Sequence, residues 1–237
     1  MTHVKNAESY SRLVDICTGL GGTYNPGQET LQVVALIAQQ KEAKKALEQV
    51  IATKNDFDTV VNERKQVFQS LRQLTASILR TLENTGMNPG RLEDARAFVH
   101  QIMGLSSRRF MPAPVADATP VRKRSTLQLA YVSQADSFAK LVRVIAEEPL
   151  YKTNEAHLSV ASLNEKLKQL QALNARVSDA RTRWSYARIH RNEVMYGTAD
   201  SLSQKSMAVR RYVRSLFGLN SEQYALLQAL RFTKPGK

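Results

Sequence analysis

The sequence predicts an all-α protein, and three observations lead to that class. The 237-residue chain holds only 10 Gly and 7 Pro, so few residues interrupt a helix. Apolar residues recur at helical spacing, as in Leu31, Val34, Ala35 and Ala38, and no sustained alternation typical of strands is present. Long segments also occur twice in the same order. Together these features predict an elongated helical bundle built from two tandem helical-hairpin repeats with approximate internal twofold symmetry.

The repeat is carried by three matched segments. "ESYSRLVDI" at 8–16 matches "DSFAKLVRV" at 136–144, and "YNPGQETLQVVAL" at 24–36 matches "YKTNEAHLSVASL" at 151–163. Further on, "SLRQLTASILRTL" at 70–82 matches "SLSQKSMAVRRYV" at 201–213. We therefore predict a first repeat at 1–104, a second at 126–237, and a basic, proline-containing linker at 105–125, with the two repeats forming one joint bundle.

We predict that each repeat contains a short helix, a turn that starts with tyrosine, and a long helical region. Tyr24 and Tyr151 are expected to hold the preceding short helix against the bundle. Asn154 is a candidate cap for the second long helix, and Asn88 followed by Pro89 is a typical helix start. Gly218 predicts a helix end, and Ser221 a cap for the last helix.

The hairpin turn in the second copy can lie at either of two positions. A break at Gly197–Asp200 is marked by glycine, whereas a break at 178–185 would give better-matched arms. The glycine favours the first. The first copy has no glycine at the corresponding place, so its turn is unmarked.

The charge balance points to an anionic partner. Lys and Arg outnumber Asp and Glu by 34 to 21, a net charge of +13, and the last 73 residues hold 14 of the former against five of the latter. Such an excess attracts nucleic acid, anionic membranes or acidic proteins, although it also fits solvated basic faces. The candidate anion or nucleic-acid contacts are Arg122, Lys123 and Arg124 in the linker, and Arg210, Arg211 and Arg214 in "VRRYVRSLFG".

No segment predicts catalysis. The chain has no phosphate-binding glycine loop, its four histidines are scattered, and no Cys/His spacing resembles a metal site. Cys17 is the only cysteine, and its apolar surroundings predict a small buried side chain. We therefore predict no catalytic residue, no cofactor and no metal, and identify no small-molecule substrate. The N-terminal "MTHVKNAESY" lacks an apolar core and no run is long enough to span a membrane, so a cytoplasmic protein is expected.

One segment, "RTRWSYARIHRNEVMY" at 181–196, combines aromatic, basic and other polar side chains. Arg191 falls on the apolar side of the helix, where a guanidinium needs a polar partner. Arg191, Asn192 and Glu193 are therefore a candidate buried polar network, with an anion-binding arginine as the alternative. Trp184 is expected in the core.

Two segments near the end of the chain read "ARIHRNEVMY" and "RRYVRSLFGLNSEQYALLQALRF", and "YNPGQETL" and "YKTNEAHL" are similar to a YxPNExxL motif. In these segments the chain resembles an uncharacterised, all-helical family of bacterial proteins of the Bacteroidota type. Gly27–Gln28 and Lys152–Thr153 depart from that motif. The resemblance implies a bacterial, helical, duplicated protein and carries no catalytic residues over.

These observations lead to two functional hypotheses. The first is a non-enzymatic scaffold or structural protein that acts through protein–protein contacts, self-assembly included. The alternative is a basic polyanion-binding protein that contacts DNA, RNA or the ribosome through its C-terminal half.

Overall fold

A computed structural model describes residues 2–104, 126–197 and 200–233. Within these ranges the secondary structure is helical and contains no strand, which confirms the all-α prediction. The α-helices are α1 (Thr2–Gly19), α2 (Val33–Glu83), α3 (Pro89–Met103), α4 (Thr126–Ala146), α5 (Val160–Asn192), α6 (Leu202–Phe217) and α7 (Glu222–Gln228). Short 3₁₀ helices lie at Gly21–Thr23, Glu29–Leu31 and Ala156–Leu158, and a π-helix at Glu193–Gly197 follows α5.

Most predicted helix ends are correct. The Asn88 side chain accepts a hydrogen bond from the Gly90 amide at 2.9 Å, with Pro89 as the first residue of α3. Ser221 caps α7 in the same way through the Tyr224 amide at 3.2 Å. Gly218 ends α6 with a φ of 87°, which a residue with a Cβ rarely adopts.

The cap predicted at Asn154 is wrong. A 3₁₀ turn lies between Asn154 and the long helix, so α5 begins only at Val160. Its cap is Ser159, whose Oγ accepts from the Ser162 amide at 3.3 Å.

The chain packs into two compact units, Met1–Phe57 with Ala180–Lys237, and Asp58–Asp179. We call them unit 1 and unit 2. Unit 1 combines the beginning of the first sequence repeat with the end of the second, and unit 2 combines the beginning of the second with the end of the first. The units therefore divide the chain differently from the repeats.

The matched sequence positions have matching environments in the two units. In unit 1 the core includes Tyr10, Leu13, Val14, Leu36, Val209 and Val213, and in unit 2 it includes Phe138, Leu141, Val142, Leu163, Ile78 and Leu82. Each residue of the first list is the repeat counterpart of the residue at the same place in the second. Each unit thus buries the corresponding set of side chains, while the approximate twofold symmetry stays a prediction.

The tyrosine turns also match in detail. The Tyr24 hydroxyl donates to the Leu31 carbonyl at 2.8 Å, and the Tyr151 hydroxyl donates to the Leu158 carbonyl at 2.8 Å. Both carbonyls lie at the end of a 3₁₀ turn just before a long helix. The tyrosine therefore fixes the start of that helix in each unit.

The hairpin turn expected in the first copy does not exist. Residues 33–83 contain neither Gly nor Pro, and α2 runs through them without a break. In the second copy α5 ends at Asn192, the π-helix reaches Gly197, and α6 starts at Leu202, as the glycine indicated. The second copy has four more residues between the matched segments than the first, and the π-helix lies within this longer stretch.

The linker predicted at 105–125 lies outside the described residues. In the part of the chain that the structure describes, no helix combines the length and the apolar content that a membrane crossing requires.

Candidate functional site

The candidate site is the exposed face of α6 in unit 1, which we call the α6 face. The buried side of the helix is formed by Leu202, Ser206, Val209 and Val213, which pack into the unit 1 core. Leu216, near the end of the helix, is 47% exposed. The helix carries four Lys or Arg residues and no Asp or Glu, so every charged side chain on it is basic.

Arg211 and Arg214, two of the predicted anion contacts, lie on the α6 face. Both are exposed, and neither has a carboxylate oxygen within 4.0 Å among the described residues. Met207, also exposed, lies one helical turn before Arg211 on the same side. The face therefore presents two unpaired cations beside an apolar side chain.

Arg210 has a different role from the one predicted. It is half-buried, its Nη2 donates to the Leu230 carbonyl, and its guanidinium carbon lies 5.1 Å from the centre of the Phe232 ring. Burial lowers the pKa of this guanidinium. Arg210 therefore holds the C-terminal segment against α6, and one of its terminal nitrogens is already bound to a carbonyl. The other predicted contacts, Arg122, Lys123 and Arg124, lie outside the described residues.

The buried polar network predicted at Arg191, Asn192 and Glu193 is wrong. Asn192 and Glu193 are exposed and Arg191 is half-buried. Arg191 donates from Nε and Nη2 to the Asn192 side-chain oxygen at 3.2 and 2.8 Å. Partial burial and the charge of Arg188 lower the pKa of Arg191. Arg191 and Asn192 thus form a contact near the surface at the end of α5, and Glu193 is exposed beside them.

Among the described residues, the one buried arginine is the repeat counterpart of Arg191. Arg64, in unit 2, is only 5% exposed, and its guanidinium carbon lies 4.3 Å from the centre of the Tyr131 ring. Its Nη1 donates to Asn174 at 3.4 Å, and its Nε has no partner within the described residues. The position matching Tyr131 in the first repeat is His3, which offers no comparable aromatic face for Arg191. The matched arginines therefore differ both in burial and in their aromatic neighbour.

Trp184 is half-buried and not a core residue. Its ring stacks on Phe57 with the ring centres 5.5 Å apart, and the cationic groups of Lys54 and Arg188 each lie 5.3 Å from the indole. Ring stacking and two cation–π contacts from α2 and α5 therefore hold the indole at the surface of unit 1.

An open groove of about 410 Å³ lies beside the π-helix in unit 1. Glu42, Glu193 and Asp200 line it together with Lys205, and His190 Nε2 lies 3.7 Å from Glu42 Oε1. No cluster of three or more His, Cys, Asp or Glu side chains in the described ranges is arranged to hold a metal ion. The mixed charges of the groove indicate no particular ligand.

Sequence reasoning missed a second basic surface in unit 1. Lys5 and Arg12 on α1 line a cavity together with Arg231 from the C-terminal segment. The spacing of Lys5 and Arg12 is a usable signal because residues seven apart share a helix face. The contribution of Arg231 is visible only in the folded chain.

Comparison of the chain with protein-family profiles, with curated proteins and with solved structures found no match.

Proposed function

We propose that this protein is a non-enzymatic helical scaffold that acts through protein–protein contacts, self-association included. The observation that carries the proposal is a pair of large apolar side chains on the surface of α5 in unit 1. Tyr186 is 68% exposed and Ile189 is 52% exposed. Residues three apart on a helix are neighbours, so the two form one apolar surface.

The composition of this pair suits a contact surface. Tyrosine is enriched among the residues that dominate protein interfaces because its rigid ring buries much apolar area and its hydroxyl still finds a polar partner. Burial of each such side chain by a partner contributes about 1.5–3 kcal/mol. An isolated exposed apolar residue needs no such explanation, whereas a neighbouring pair on one face favours a contact.

Sedimentation velocity of the nuclease-treated protein over a range of concentrations tests the proposal. We expect concentration-dependent association, or capture of a protein partner, that the double variant Tyr186→Ser/Ile189→Ser weakens. The matched control is Val34→Ser/Ile51→Ser, which removes two exposed apolar residues of unit 1 that are not neighbours. The scaffold proposal is refuted if the chain stays monomeric at high concentration and binds no protein.

A second candidate function, polyanion binding, is favoured by the α6 face. Arg211 and Arg214 are exposed, without carboxylate partners in the described ranges, on a helix without acidic residues. Phosphate contacts release counterions, so binding driven by them weakens steeply with salt. The expected ligand is single- or double-stranded nucleic acid recognised through its backbone.

Fluorescence anisotropy with a labelled 20-nucleotide single strand between 50 and 200 mM salt tests this candidate. Loss of two phosphate contacts in Arg211→Gln/Arg214→Gln should reduce the slope of log K against log salt by about 1.4. The double variant Arg72→Gln/Arg80→Gln removes the same charge from exposed positions of α2 and is the matched control. Equal slopes for the two variants would exclude the α6 face as the binding surface.

A cytoplasmic location is part of the scaffold proposal. The single cysteine, Cys17, is buried, and burial raises the pKa of its thiol to about 11. A protein with a lone buried thiol and no disulfide suits a reducing compartment. Recovery of the native protein outside the cytoplasmic fraction of its cells would contradict this part.

A further inference from the structure

A groove between α1 and the C-terminal segment has the features of an anion site. Its cavity of about 480 Å³ lies within unit 1 and is lined by Lys5, Ser9 and Arg12 from α1 and by Arg231 from the segment after α7. Cavities of a few hundred Å³ are of the size that holds a small ligand. The groove involves neither the Tyr186–Ile189 pair nor Arg211 and Arg214.

The groove is held in place by a buried amide. Asn6 is 1% exposed, and its Nδ2 donates to the Thr233 carbonyl at 2.7 Å while its Oδ1 accepts from the Thr233 amide at 3.1 Å. Asn6 Nδ2 also donates to the Tyr196 hydroxyl at 2.9 Å. Because both backbone groups of Thr233 are bound, the segment that carries Arg231 has a fixed position beside α1.

The charges around the groove are unbalanced. Lys5, Arg12 and Arg231 are exposed, and none has a carboxylate oxygen within 4.0 Å among the described residues. Glu8 is the one acidic residue that lines the cavity, so three cations and one carboxylate leave a local charge of +2. Cations that surround one cavity without partners repel each other, and a bound anion removes that repulsion.

The spacing of the cations defines the shape of the anion. Lys5 and Arg12 are seven residues apart on α1, which separates their Cα atoms by about 10.5 Å along the axis. Ser9 lies between them on the same side and offers a hydroxyl donor, and Arg231 approaches from the opposite wall. The cations are thus spread along the groove, and a chain of phosphoryl groups presents several charged oxygens along the same length.

We propose that this groove binds an oligophosphate chain, either inorganic or the phosphate tail of a nucleotide. Arg12 and Arg231 present planar forks of donors that match phosphate oxygens, and Lys5 adds a point charge at the other end. Thr2 and Ser9 supply neutral donors along the wall. This inference is independent of the scaffold proposal and of the α6 face, because it uses other residues.

Isothermal titration calorimetry of the full chain with inorganic triphosphate at 100 mM salt tests the proposal. Each of Arg12→Gln and Arg231→Gln should weaken binding roughly fivefold, as expected for a contact that remains partly hydrated, and the double variant roughly 25-fold. The control Arg72→Gln in unit 2 should change the dissociation constant less than twofold. Both groove arginines are exposed, and urea unfolding verifies that the variants remain folded.

The probe series separates the sources of the phosphate chain. Adenosine triphosphate that binds as tightly as triphosphate, or more tightly, supports a site for the nucleotide tail, and triphosphate that binds more tightly supports an inorganic chain. Single phosphate should bind much more weakly than either. The proposal is overturned if triphosphate does not bind, if Arg12→Gln and Arg231→Gln bind it like the control, or if only single-stranded DNA binds and Arg211→Gln/Arg214→Gln abolishes that binding.

Discussion

Removal of one hydroxyl from the turn at Tyr24 should destabilise unit 1. The hydroxyl donates to the Leu31 carbonyl at 2.8 Å in buried surroundings, and burial raises the pKa of Tyr24. In Tyr24→Phe the ring keeps its edge-to-face contact with Tyr212, with the ring centres 5.4 Å apart. The substitution therefore removes the hydrogen bond and leaves most of the packing intact.

The magnitude follows from the fate of the Leu31 carbonyl. Leu31 is buried, so the carbonyl left without its donor has poor access to water. An unsatisfied buried acceptor costs about 1–3 kcal/mol of the free energy of unfolding. Tyr151→Phe removes the matching bond in unit 2, where Tyr151 is half-buried and water can replace part of the interaction. We therefore expect a smaller loss of about 0.5–1.5 kcal/mol there.

Urea unfolding followed by far-ultraviolet circular dichroism measures both changes. Tyr186→Phe is the control, because that side chain is exposed and its hydroxyl is accessible to water, and it should alter the free energy by less than about 0.5 kcal/mol. If Tyr24→Phe unfolds like the control, the tyrosine hydroxyl does not hold the start of the long helix. Unchanged stability together with loss of a binding activity would instead mean that the turn is a binding site.

Three further outcomes follow from the contacts of unit 1. Asn6→Ala should destabilise unit 1 by about 1–3 kcal/mol and expose the Thr233 amide. Hydrogen exchange that stays slow at this amide would contradict the role of Asn6 in holding Thr233. Burial, then the charge of Arg191, lower the pKa of His3 below its ordinary value, so the unfolded chain takes up a proton more readily. The contribution of His3 to the free energy of unfolding is therefore complete above about pH 6.5 and is lost as the pH falls through the folded-state pKa. His3→Asn should flatten the pH dependence of urea unfolding between about pH 7 and 5. Gly218→Ala should cost about 1–2 kcal/mol through backbone strain alone, since the space around its Cβ is open, and an unchanged unfolding midpoint would count against that strain.

The sequence predicted the features that depend on neighbouring residues. Helix content, the caps at Asn88 and Ser221, the end at Gly218 and the break near Gly197 all follow from backbone preferences that act within a few residues. The cap at Ser159 was missed because the 3₁₀ turn at 156–158 delays the helix, and the side chain of Asn154 gave an equally good local signal.

The roles of individual arginines were not predictable in the same way. Arg210 and Arg211 are adjacent in the sequence, yet Arg210 binds the Leu230 carbonyl while Arg211 is exposed. The helical angle places both beside the buried stripe, and only the path of the C-terminal segment distinguishes them. Arg64 and Arg191 likewise occupy matched positions, yet only Arg64, which lies against the Tyr131 ring, is buried.

The sequence by itself determined that this chain is helical, that its segments recur, and where most helices begin and end, because these properties depend on local propensity and periodicity. Only the tertiary structure decided which half of one repeat packs with which half of the other. Each compact unit joins the start of one repeat to the end of the other, and this pairing brings Lys5 and Arg12 beside Arg231. The physical reason is that the two repeats present nearly the same apolar stripes. The stripes specify that side chains such as Val14 and Val213 are buried, whereas the partner of each stripe is fixed by long-range packing of the whole chain.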